Sequence, residues 1–140
     1  MAHWLMKSEP DVLSYGDIAK KKFEEWHGVR SYAARNNMKA MQLGEECFLY
    51  HSNQGKEIVG IVKVVKLAHP DSTADLNDKG KVVWECVDVV AVKKLRKPVT
   101  LETIKATPAF ASMALVKLSR LSVSPVTDEE WASICKMGGL

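Results

Sequence analysis

"EIVGIVKVVKLA", Glu57 to Ala68, is the stretch that decides the fold. Apart from its lysines it is apolar on both sides of an extended chain, whereas a strand with one wet face alternates apolar and polar residues. Such a segment belongs in a sheet covered on both sides. Gly60 interrupts it, and a glycine inside a strand marks a bend or bulge that curls the sheet. The "NQGK" turn, Asn53 to Lys56, joins it to a preceding strand, "CFLYHS", Cys47 to Ser52.

Working outward, "HWLMKS" (His3 to Ser8) reads as an opening strand that ends before Pro10, because proline has no N–H for the ladder. "VVWECVDVVAV" (Val82 to Val92) is a third long strand rich in β-branched residues. Between it and Ala68, "HPDSTADLNDKGK" has the composition of a polar loop. "LVKLSRLSVSPV" (Leu115 to Val126) reads as the last strand.

Helices fall between these strands. Ser14 with Asp17 has capping-box spacing, with Ile18 and Phe23 as the helix's apolar contacts. Ser31 or Tyr32 opens a second helix whose Ala34, Met38 and Met41 recur at helical spacing and which Gly44 closes. Thr100 caps a short third helix that stops before Pro108. Thr127 with Glu130 makes a second capping box, and Gly138 punctuates the end of that helix. The sum is an α+β domain spanning residues 1–140, a curved, mostly antiparallel sheet of about five strands able to close into a small barrel, with short helices at its ends and edges.

Composition narrows the function. With 140 residues, 46% of them hydrophobic and 26% charged, the chain has the balance of one ordinary globular domain. No apolar run reaches the roughly 20 residues of a membrane span, and the start lacks the pattern of a secretory signal, so an intracellular, soluble protein is expected. Its three cysteines, Cys47, Cys86 and Cys135, form no C-x-x-C pair and no zinc-spaced cluster with histidine. They read as buried apolar filler, with no metal expected. There is no Walker loop and no G-x-G-x-x-G, so no cofactor is expected either. No strongly apolar helix face lacks a core partner, which favours a monomer. The net charge of +3, with basic clusters at Lys20–Lys22, Arg30/Arg35/Lys39 and Lys93–Lys97, permits a nucleic-acid partner without demanding one.

Candidate site residues gather at strand ends and in one loop. Lys7, Ser8 and Glu9 close the first strand, either as a surface ion pair beside a turn or as donors and an acceptor for a ligand. Tyr50, His51 and Ser52 close another. His51 is the only acid–base candidate among them, and it stands in no recognisable Ser/His/Asp or Cys/His order. Trp4, Trp84 and Trp131 lie within regular elements and suit the core. Trp26 is different, because it sits in a loop before His27 and Gly28. It is either a lid on the core or a wall on which a flat ligand stacks, a contact worth ~1–3 kcal/mol per base. Gly28 would allow a close backbone approach or a positive φ, and Arg30 offers a planar fork to a base edge or phosphate.

Several blocks together resemble the EVE-domain family. They are "WLMKSEP", "W-x-GVR-x-Y-x-ARN-x-M", "FLYHSN", "IVGI-x-x-VV", "A-x-PD-x-T", "W-x-x-VDV", "PVTL-x-x-IK" and "RLSV-x-PVT-x-EEW", in family order from Trp4 to Trp131. The resemblance implies a PUA-like fold, a small curved β-barrel with flanking helices, similar to the YTH readers of methylated adenine. It also implies a pocket for an extruded, modified base of DNA or RNA. Family pocket positions fall on Ser8, Glu9, Trp26, Gly28, Val29, Arg30, Asn36, Tyr50, His51 and Ser52, and Lys7 at the same strand end joins them as a candidate. Arg35 and Lys39, on the helix beyond, are expected to face phosphates. The loop after Thr73 is shorter than in many relatives, which would leave the pocket more open. The competing expectation is a hydrolase of modified nucleosides resembling the ASCH type, working through Lys7 and Glu9. A partner-binding adaptor with a vestigial pocket is the third.

Overall fold

The computed structural model describes residues 1–140. Its strands are β1 (His3–Ser8), β2 (Glu24–Glu25), β3 (Glu46–His51), β4 (Glu57–Pro70), β5 (Glu85–Thr100) and β6 (Val123–Val126). They form one six-stranded sheet in the order β2-β5-β4-β3-β1-β6. β1 runs parallel to β3, and every other neighbouring pair is antiparallel. The architecture is α+β, as expected. The ladder has two ends, at β2 and β6, where the sequence suggested a closed barrel.

Strand alternation sorts the apolar side chains onto two faces, each with its own core. Trp4, Met6, Cys47, Leu49, Val62, Val64, Val87 and Val89 pack on one face beneath Tyr15 and Ile18 of α1 (Tyr15–Ala19) and Ala34 and Met38 of α2 (Tyr32–Ala40). Leu5, Phe48, Ile58, Ile61, Leu95 and Val99 pack on the other. There they meet Ile104 of α3 (Leu101–Ala106), Phe110 of a 3-10 turn, Leu115 of α4 (Ala114–Lys117) and Ile134 of α5 (Asp128–Met137). The doubly apolar reading of Glu57–Ala68 therefore describes β4 correctly. Trp131 of α5 is stacked between His3 and Phe48, with ring centroids 4.2 and 3.9 Å away.

Gly60 makes the sheet's main irregularity. Ile58 and Ile61 share one core and Val59 and Val62 the other, so the two-residue alternation slips by one at the glycine. The register shifts there on both flanks, between Leu49 and Tyr50 on β3 and between Ile58 and Gly60 opposite β5. Local cap chemistry fixes the helices. Ser14–Asp17 and Thr127–Glu130 each close reciprocally as capping boxes, while Ser31 and Thr100 accept from the third residue after them.

Four expectations need correction. "LVKLSRLSVSPV" is not one strand: residues 114–117 form the helical turn α4 and only Val123–Val126 is extended, because Met113 and Leu115 turn into the second core. β5 runs on through "KKLRKPVT" to Thr100 but begins after Trp84. Trp84 is accordingly half-buried, stacked on Tyr32 at 4.9 Å. Phe23 lies beyond the end of α1 and is exposed. No helix is long and apolar enough to cross a membrane.

A β-carbon placed on Gly60 would run into the Tyr15 ring, which is itself held in the first core. Gly60→Ala is expected to destabilise the fold by roughly 1–3 kcal/mol, read as a lower urea midpoint at constant slope. Gly16→Ala, whose new atom meets nothing nearer than Ser14 Oγ at 3.6 Å, should be neutral or stabilising. Equal midpoints for the two variants would remove packing as the reason for this glycine.

Candidate functional site

A cleft of about 600 Å³ opens where β1 ends, facing the loop that follows β2. One wall carries Lys7, Ser8 and Glu9, and the other carries Trp26, Gly28, Val29 and Arg30. These seven sequence candidates are brought together. Val12, Leu13, Lys21, Glu24, Glu25, His27 and Ser122 complete the lining and were missed. Their signal was weak, because only the two-residue β2, too short to leave a pattern, draws Glu24 and Glu25 to the cleft. A broader depression of about 480 Å³, between Ser31, Ala33 and the turn Lys117–Leu121, carries no carboxylate and no aromatic ring.

The loop wall is held by a residue outside the expected set. Asp71 is buried, and its Oδ2 accepts from the Gly28 amide at 2.8 Å and from Arg30 Nη1 at 3.1 Å. Its Oδ1 accepts from the Thr73 amide at 2.7 Å and the Thr73 hydroxyl at 2.6 Å. Burial alone would raise its pKa. The Thr73 hydroxyl, the Gly28 and Thr73 amides and the Arg30 guanidinium outweigh burial and bring it down to about 2. Gly28 adopts φ 87°, a left-handed conformation that suits glycine and turns its amide toward Asp71. The legible signal was the Asp-x-Thr order in "PDST", a pattern in which an aspartate accepts from the backbone two residues on.

Trp26 is both lid and wall. It is only 5% exposed and belongs to the first core, yet it lines the cleft. Its backbone N–H joins the sheet through Val87 O at 2.9 Å. Ser124 Oγ is the one buried side-chain polar atom without a partner, so the indole N–H, which bonds to nothing in the protein, is not sealed into the core. It keeps contact with solvent. On the opposite wall, Ser8 Oγ donates to Leu13 O at 2.8 Å and Lys7 Nζ to Ser119 O at 2.7 Å. Burial lowers the Lys7 pKa. Lys7 and Glu9 form no ion pair with each other. Glu24 is paired with Lys21 at 2.7 Å, and Glu25 accepts from Ser72, which leaves Glu9 as the uncommitted carboxylate of the cleft.

The other sequence candidates lie elsewhere. Tyr50 is buried in the second core; with Lys7 and Ser52 it borders a separate cavity of about 190 Å³. His51 Nε2 accepts from the Tyr15 amide at 3.1 Å, and burial lowers its pKa. Asn36, placed on α2, accepts from Arg35 at 2.9 Å and does not line the cleft. Arg35 also donates to Val83 O at 3.1 Å and lies 4.9 Å over the Tyr32 ring. Lys39 pairs with Glu85 at 3.4 Å. Both intended phosphate contacts thus have partners inside the protein.

A mostly antiparallel sheet covered on both faces, with a polar, aromatic-walled cleft at its strand ends, defines a small α+β module. A family model of the EVE domain matches residues 2–137, and the chain belongs to that family. Chicken thymocyte nuclear protein 1 is 38% identical over 92% of this chain and 65% of its own length, and the human protein is 37% identical over 93% and 71%. The chain thus spans about two thirds of the length of these relatives. Among solved structures, a protein of Agrobacterium tumefaciens is 49% identical at a TM-score of 0.93, with 100% of this chain and 94% of that one covered. Human THYN1, solved in complex with 5-methylcytosine containing DNA, is 32% identical at a TM-score of 0.90, with 100% and 99% covered. An ASCH protein of Zymomonas mobilis is 11% identical at a TM-score of 0.56, a likeness of fold alone.

The lowered Asp71 pKa makes a signed prediction. A depressed carboxylate stabilises the fold above its unfolded pKa, and that stabilisation is lost as pH falls from about 3.8 toward about 2. Asp71→Asn should cost about 2 kcal/mol at pH 7, with the gap to the native chain narrowing below pH ~3. Denaturant titrations at the two pH values check this, and a gap independent of pH would contradict it.

Proposed function

We propose that this chain is a non-enzymatic reader of a modified base in DNA, with 5-methylcytosine as the first ligand to test. The observation that carries the reading is the cleft itself, on a scaffold that matches human THYN1 solved with 5-methylcytosine containing DNA. The chemistry of the lining fits a methylated cytosine extruded from the helix. Val12, Leu13 and Val29 offer apolar surface to a methyl group, and the Trp26 indole offers an edge and a free N–H. The uncommitted Glu9 carboxylate suits the exocyclic N4 amine of cytosine, a donor that acidic side chains read. Lys7, Lys21 and Arg30 in the lining add positive charge for the flanking phosphates, each while also bonded within the protein, to Ser119 O, Glu24 and Asp71. Arg35 and Lys39 are left in a supporting role on α2.

The fold reading that accompanies this function is PUA-like, with the Gly60 bulge and the irregular β4–β5 pairing curling the sheet toward a small barrel. A DNA ligand is consistent with an intracellular protein. Lys7 donates to a backbone carbonyl and not toward Glu9, so no observation favours the hydrolase reading.

Binding of fluorescent oligonucleotides that differ only in one 5-methylcytosine tests the proposal. The native chain should prefer the methylated strand. Glu9→Gln should weaken that strand's binding about tenfold with the salt slope unchanged, because one hydrogen-bonded base contact is worth ~1–3 kcal/mol. Lys21→Ala should reduce the salt slope by about one phosphate's worth and leave the methyl preference intact. Equal affinity of the native chain for both strands would overturn the reading.

A further inference from the structure

Behind the cleft wall, three segments far apart in sequence bring a carboxylate, an imidazole and a thiol to one point. Glu25, His69 and Cys86 each offer a ligand atom, and these atoms all lie within 4.8 Å of one another. The sheet register puts them there. His69 is opposite Cys86 in the β4–β5 ladder, and Glu25 is opposite Asp88 in the β2–β5 ladder. Cys86 and Asp88, two apart on one strand, point to the same face.

Each ligand atom is aimed by an outer partner. His69 Nε2 lies 2.8 Å from Asp88 Oδ1, which makes that nitrogen the donor and leaves Nδ1 turned toward the cluster. Ser72 gives both its hydroxyl and its amide to Glu25 Oε1, which leaves Oε2 free, 4.0 Å from His69 Nδ1. The Pro70 carbonyl oxygen lies 3.1 Å from the same nitrogen. With its proton committed at Nε2, Nδ1 faces two further acceptors and a sulfur. A metal ion at this point would have oxygen, nitrogen and sulfur donor atoms around it. The surroundings carry the matching charge, with the Asp88 carboxylate on His69 Nε2 and the Glu25 carboxylate facing His69 Nδ1. A cation at this point finds those carboxylates a favourable field.

We propose that Glu25, His69 and Cys86 form a binding site for a borderline-soft divalent metal ion of the Zn²⁺ class, with Asp88 and Ser72 orienting the ligands. Mixed O, N and S donors select zinc-like ions over magnesium or calcium, and a carboxylate behind the ligating histidine is the usual support of such sites. Glu25 and His69 side chains keep 21% and 16% exposure, so the site communicates with solvent while Cys86 is fully buried. Glu25 also lines the cleft, so the site shares one residue with it. The site stands on geometry independent of any nucleic-acid ligand.

Metal-stripped protein titrated with Co²⁺ and then Zn²⁺ tests the site. The native chain should take up one equivalent of Co²⁺ with a thiolate-to-cobalt charge-transfer band, which Zn²⁺ then bleaches. Binding should release protons and weaken at acidic pH. Cys86→Ala should abolish the band. His69→Gln and Glu25→Gln, at partly exposed positions, keep the test decisive should Cys86→Ala not fold, and each should lower affinity at least ~10–100-fold. Asp88→Asn should lower it by ~10–100-fold while retaining the band. Absence of the band from the native chain would overturn the site. A band that survives in Cys86→Ala, or a native affinity in His69→Gln, would overturn it in favour of Cys47, Cys135 or the surface.

Discussion

The cleft depends on one buried carboxylate. An ionised aspartate cannot stay inside a protein without partners. Asp71 finds four, two from Thr73 beside it in the chain and two from Gly28 and Arg30 across the cleft wall. That constraint converts a loop into a fixed surface. Gly28 must take a left-handed conformation, Arg30 is drawn over the Trp84 ring at 5.6 Å, and Trp26 is pinned between the Asp71 clamp and the β5 strand. The same carboxylate adds its field to those of Glu25 and Asp88 at Cys86. A single side chain therefore sets the shape of the wall and contributes to the electrostatics behind it.

The sheet supplies the rigid frame for that clamp. Because both faces are covered, each strand is held by two cores, and the ends of the strands are the places where polar groups reach solvent without disrupting packing. β1 is hydrogen-bonded on both sides, between β3 and β6. Its end delivers Lys7 and Ser8 to the cleft, with Glu9 just beyond. The slip at Gly60 lets the Tyr15 ring sit against the sheet, and the amide of Tyr15 in turn engages His51. His51 is thus a structural tie between α1 and β3.

Features set by neighbouring residues were legible in the sequence. The two capping boxes, the doubly apolar β4 strand, the Gly60 bulge and the strand-end positions of Lys7–Glu9 all rest on local chemistry. Features set by distant contacts were not. Residues 114–117 have a strand-like apolar pattern, yet they turn helical because the second core needs Met113 and Leu115. Arg35 and Lys39 look like free cations in the sequence and are engaged by Val83, Asn36 and Glu85 in the fold. Asp71 was visible as part of "PDST", but its role as clamp follows from Gly28 and Arg30 arriving from elsewhere. The Glu25, His69 and Cys86 cluster has no spacing that sequence inspection detects, since strand pairing alone assembles it.

The four tryptophans give the most direct test of where a base is held. Their indole N–H groups report four separate places: Trp4 bonded to Glu45 inside the first core, Trp26 at the cleft, Trp84 under Tyr32, and Trp131 stacked on the far face. A nitrogen-15 correlation spectrum recorded through a titration with an oligonucleotide carrying one 5-methylcytosine would resolve them. The Trp26 indole and the Gly28 amide are expected to move together and saturate, while Trp4 and Trp131 stay in place. Movement of Trp131 with an unperturbed Trp26 would contradict it, because the base would then be bound on the opposite face of the sheet.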